Sequence, residues 1–183
     1  TPTLNLAETE MHLGNLREAV EGYREAMRLA SRLPSRDSPA LAAWGLAVAL
    51  DRSGDRVGAE REARFALQLE QSAGYRPRGG LSVLRSQGVF FFPEYEVYWY
   101  EGLGALAQAR GAESAAEAVS LLRDAERAYG RFVQGAEQAH EPDRWLAIAR
   151  ARLAAVKVER EAAEKRRGKE PRREVDDADD VPL

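Results

Sequence analysis

The chemistry open to this chain is limited first by its two histidines, His12 and His140. His12 follows Glu8 by four positions, and His140 stands just before Glu141 and Asp143. A metal centre takes three or four convergent ligands, and neither histidine has a second one nearby. The chain has no cysteine, which removes thiolate ligands, thiol nucleophiles and disulfides together. Both histidines are expected at structural or surface positions, with no metal and no other cofactor. Neither a Gly-x-Ser-x-Gly nor a His-Glu-x-x-His pattern occurs. Gly79-Gly80, after Arg76 and Arg78, lacks the Lys-Ser/Thr pair and the strand-helix setting of a phosphate loop, and it reads as a turn. No catalytic residue is assigned, and the chain is not expected to be an enzyme.

Charge and aromatic residues speak for contacts with macromolecules instead. The 27 basic and 30 acidic residues give a formal charge of -3, without the basic excess that phosphate neutralisation requires. Nucleic acid is therefore excluded as the main partner. The basic run Lys165, Arg166, Arg167, Lys169, Arg172 and Arg173 is followed at once by Asp176, Asp177, Asp179 and Asp180. The two blocks compete for the same counter-charges, so residues 167–183 are expected to form a disordered, solvated tail. Phe90, Phe91, Phe92, Tyr95, Tyr98, Trp99 and Tyr100 fall within eleven positions. Aromatic side chains anchor protein interfaces because they bury a large area for little lost entropy. They also pack insertions onto cores, and Tyr100 falls at a core position of the pattern described next.

These groups must be carried by helices. Ala, Leu, Glu and Arg dominate the composition, and no apolar run approaches the roughly 18 residues of a membrane span. One pattern recurs: Leu6-Ala7 precedes Gly14, Leu46-Ala47 precedes Gly54, and Leu103-Gly104 precedes Gly111. Each glycine is followed by a second segment with small residues at helical spacing: Ala19/Tyr23/Ala26, Ala59/Ala63/Ala66 and Ala118/Leu122/Ala125. Glycine ends a helix in a left-handed turn, and small residues let two antiparallel helices approach closely. Ala7, Ala47 and Gly104 are expected at those crossings, with Leu6, Leu46 and Leu103 between neighbouring hairpins. A hairpin cannot bury both of its faces alone, so copies stack.

The stretch Asn5 to Leu29, with weaker copies near 40–71 and 94–134, resembles the tetratricopeptide repeat family. The resemblance implies an all-α solenoid of about three helical hairpins plus a long C-terminal capping helix ending near Arg166. The repeat domain would span 1–166, with a loop-rich insertion at about 72–93. It further implies a protein–protein interaction module that holds a partner segment in a groove lined by the first helix of each hairpin. By repeat position the groove takes Leu4, Glu8, Met11 and His12, then Trp44, Val48, Asp51 and Arg52. The third repeat adds Tyr98, Glu101, Ala105 and Gln108, and the fourth Leu146, Arg150 and Leu153. Phe90, Phe91 and Phe92 form a second candidate surface. Members that clamp a C-terminal carboxylate use Lys and Asn where this chain has Leu4 and Glu8, so an amphipathic helix is the expected ligand. The chain's own insertion is the other candidate occupant. A structural homo-oligomer joined through stacked repeats is the alternative reading, with a small-ligand-binding or enzymatic domain behind it, and the compartment, cytoplasm or bacterial envelope, stays open.

Overall fold

The computed structural model describes residues 2–32, 37–75 and 81–168, and every described element is helical. Three antiparallel hairpins follow one another: α1 (Pro2–Leu13) with α2 (Leu16–Ala30), α3 (Asp37–Ser53) with α4 (Arg56–Ser72), and α6 (Val97–Ala109) with α7 (Ala115–Gln138). The long α8 (Leu146–Arg167) packs on α7 and completes an all-α tetratricopeptide-like solenoid. Between the second and third hairpins lie the short α5 (Ser82–Ser86) and a 3-10 turn at Glu94–Glu96. No described helix is long and apolar enough to cross a membrane. Arg76, Arg78, Gly79, Gly80 and residues 169–183 of the charged tail lie outside the described residues.

The first two turns are built by local chemistry. Gly14 and Gly54 adopt φ of +88° and +95°, a region closed to most side chains. In each, the glycine N–H reaches back three residues and the next N–H five: Gly14 to Met11 and Asn15 to Glu10, Gly54 to Asp51 and Asp55 to Leu50. These bonds satisfy carbonyls that the helix end would otherwise leave without partners. Asp55 then caps α4 by accepting the Gly58 N–H at 2.8 Å. The third turn differs: α6 stops at Ala109, Gly111 is not left-handed, and Ser114 caps α7 by accepting from Glu117.

Hairpins close through small residues, in part as expected. Ala7 lies against Gly22, where an added β-carbon would come within 2.9 Å of the Ala7 methyl. Tyr23 of α2 presses its ring onto Gly45 of α3, and Tyr129 of α7 does the same to Gly102 of α6. Gly104 is not at the α6–α7 crossing: its open face receives the indole of Trp44 from α3. Leu46 and Leu103 are buried between hairpins, at 2% and 0% exposure, but Leu6 is 61% exposed because no described hairpin covers that face of α1.

Burial also sets the tyrosine chemistry. Desolvation pushes the Tyr23, Tyr100 and Tyr129 phenols well above their ordinary value, and Tyr95 is raised by desolvation and by donating to Asp143 at 2.8 Å. In the unfolded chain these phenols titrate near pH ~10. A group whose pKa is raised by folding stabilises the fold fully below its unfolded pKa and loses that contribution as pH rises. We therefore expect stability to fall above pH ~10, with these four phenols ionising together with loss of helical ellipticity. Phenolate absorbance that develops fully before the helix signal changes is the contrary outcome.

Candidate partner-binding site

The groove expected from repeat position is closed at Met11 of the first repeat and along α3 of the second. Met11, Trp44, Val48 and Arg52 are 1%, 0%, 0% and 3% exposed, so none of them lines an open surface. Leu4 and Glu8 are half-buried. Helix α5 is one cause. It packs on α3, and its Leu81, Val83 and Leu84 join the same buried cluster as Trp44 and Val48. Glu70, itself fully buried, accepts from both Trp44 Nε1 at 2.9 Å and the Val83 backbone at 3.3 Å, which ties the insertion to the second hairpin. The stretch expected to be loop-rich therefore contains a helical turn that fills its own groove.

The far end of α3 is closed by the C-terminal half of the chain. Arg52 donates to Glu96 at 2.5 Å, with its guanidinium between the rings of Trp99 and Trp145, 4.6 and 4.7 Å from their centroids. Asp51 accepts from Trp99 Nε1 at 2.9 Å and pairs with Arg152 of α8. Arg144, just before α8, donates to the Leu13 carbonyl and so joins the last connection to the first hairpin. Repeat position assigned Asp51 and Arg52 to the groove. Both are instead fully desolvated and paired, the arrangement that buried charges require.

The third repeat remains open. Its groove positions Glu101, Ala105 and Gln108 form one wall of a cleft of about 610 Å³. The opposite wall is α7, with Leu121, Asp124, Arg127 and Arg131, and Arg85 of the insertion stands at the rim. Such a volume falls in the range of ligand-binding clefts. Arg85 pairs with Glu101 at 2.9 Å, and Arg127 with Asp124 at 2.6 Å. Arg131 lies over the ring of Tyr98, 5.4 Å from its centroid. Leu146 and Leu153 of α8 are half-buried and Arg150 pairs with Glu137, away from this cleft. Leu121, Asp124, Arg127 and Arg131 are not expected from repeat position, which assigns the groove to the first helix of each hairpin, and Arg85 comes from the insertion. The i, i+3, i+7, i+10 spacing of Leu121, Asp124, Ala128 and Arg131, which puts all four on one helix face, is the signal the sequence holds.

The aromatic stretch divides. Phe91 packs edge-on against Tyr100 at 5.2 Å, Tyr95 against Phe132 at 5.3 Å, and Trp99 is fully buried. Phe90 and Phe92, on either side of Phe91, are 93% and 86% exposed. His12 sits 4.0 Å from Glu8 and His140 is exposed. Among the described residues no group of three or more His, Cys, Asp or Glu is placed to hold a metal.

Residues 1–69 match the family model described as Tetratricopeptide repeat. No curated protein and no solved structure matches the chain.

Proposed function

We propose that the chain is an adaptor, because its residues 1–69 match the tetratricopeptide repeat family, whose members generally mediate protein–protein interaction. In this reading it holds a segment of a partner protein in the α6–α7 cleft, and Phe90 and Phe92 supply a neighbouring apolar anchor. One observation carries the reading: the groove positions Glu101, Ala105 and Gln108 of the third repeat line an open cleft of about 610 Å³, while those on α3 are filled by the chain's own α5, Trp99 and Trp145. An exposed pair of phenylalanines on an otherwise well-solvated surface is the second support.

Affinity capture from the source lysate tests this, comparing wild type with Leu121→Arg and with Phe90→Ser/Phe92→Ser by quantitative mass spectrometry. A protein held by wild type and lost from Leu121→Arg is the expected result. Loss from the double serine variant alone would move the contact to the insertion, and equal capture by all three would exclude both surfaces.

A second reading, a homo-oligomer joined through stacked repeats, rests on Leu6. Its repeat equivalents Leu46 and Leu103 are buried, whereas Leu6 and Leu13 are 61% and 59% exposed on α1. Sedimentation equilibrium separates the two readings, since only the second requires a mass above that of one chain.

A further inference from the structure

The proposal concerns the chemistry of the partner segment, and it rests on the reading of the α6–α7 cleft as the partner site. The charges of the cleft are unequally satisfied. Arg85 and Arg127 are neutralised within the chain by Glu101 and Asp124. Arg131 is exposed and lines the cleft, and among the described residues it forms no ion pair; its contact is with the Tyr98 ring. A guanidinium lying on an aromatic face keeps its in-plane N–H donors free and holds them in one orientation. Two parallel N–H groups fixed in this way match a carboxylate, which accepts both. Beyond Arg131 the floor turns apolar at Ala128, Leu121 and Ala105.

From Arg131 to Glu117 at the other end of the cleft is fourteen residues of α7, about 21 Å at ~1.5 Å per residue, so Glu117 lies far from an acid placed on Arg131. We propose that the α6–α7 cleft takes a segment of a partner protein that sets an Asp or Glu side chain on Arg131 and apolar side chains over Leu121 and Ala105. An extended segment covers that span in about six or seven residues.

The test uses the full chain and a defined probe, a pool of random ten-residue peptides acetylated and amidated at their ends so that no terminal carboxylate is present. Peptides retained by the immobilised protein are sequenced, and the strongest is titrated by fluorescence anisotropy. Retained sequences are expected to share an acidic residue flanked by apolar ones. Changing that residue to its amide should weaken binding to wild type about tenfold, as loss of a charge-assisted pair does. Arg131→Met should bind both forms alike, and Tyr98→Leu should narrow the difference between them. Arg131 is exposed and Tyr98 is half-buried against the core, and circular dichroism verifies that each variant is folded. Retained peptides without an acidic residue that Leu121→Arg fails to bind would overturn the carboxylate and leave the cleft as the partner site. A preference for the acid that survives in Arg131→Met would overturn it as well. Retention of no peptide would remove the cleft and the proposal together.

Discussion

Arg152→Met is expected to lower the free energy of unfolding by about 3–5 kcal/mol. Asp51 and Arg152 face each other across 101 residues of chain with almost no exposed side-chain surface on either. Removing the guanidinium leaves the Asp51 carboxylate buried, with the Trp99 indole N–H as its remaining donor. The loss measures that stranded charge, and it exceeds the net worth of the pair. The double variant Asp51→Leu/Arg152→Met should therefore cost less than the two single substitutions added together. Urea unfolding followed by circular dichroism reads both quantities. A loss below ~1 kcal/mol for Arg152→Met would show that water reaches Asp51, and that the end of α3 is open after all.

Gly45→Leu is expected to abolish the folded state. A β-carbon at Gly45 already falls inside the van der Waals radius of the Tyr23 ring, and Tyr23 is 2% exposed with no space to withdraw into. The milder Gly45→Ala sets two effects against each other. Alanine gains about 1 kcal/mol of helix propensity over glycine, while overpacking costs typically ~1–3 kcal/mol. Because the near contacts are ring atoms anchored in the core, we expect a net loss of about 1–2 kcal/mol. In a Tyr23→Leu background the sign should reverse, since the propensity gain then stands alone. Thermal melts of the three variants decide it, and equal melting temperatures for Gly45→Ala and wild type would refute the contact.

What could be read in the sequence follows from the range of the interactions involved. The helices, the turns at Gly14 and Gly54 and the cap at Asp55 rest on neighbours within five residues, and such patterns are written contiguously. The burial of Ala19, Ala59, Ala63 and Ala66 follows from helical periodicity. Contacts made over distance were not legible in this way. Nothing near Asp51 in sequence announces Arg152, and nothing near Glu70 announces that it will accept from both Trp44 and Val83. The groove assignments failed on α3 for that reason: repeat position says which way Trp44, Val48 and Arg52 point, but not what comes to lie on them. Glu101, assigned by the same rule, lines a cleft that α8 leaves open, because α8 packs on α7 and contributes none of the residues that line it.

The seating of α5 on the second hairpin has a consequence for competition among ligands. Any molecule that requires Trp44 and Val48 must first dislodge Leu81, Val83 and Leu84, each stabilised by about 1.5–3 kcal/mol through burial. Such a ligand would bind at least roughly a thousandfold more weakly than its contacts alone imply, at ~1.4 kcal/mol per tenfold. A short segment confined to the third repeat meets no such barrier. In the adaptor reading proposed above, the insertion would act as a length filter, turning away ligands that run the full course of the stack while admitting those that end beside α6.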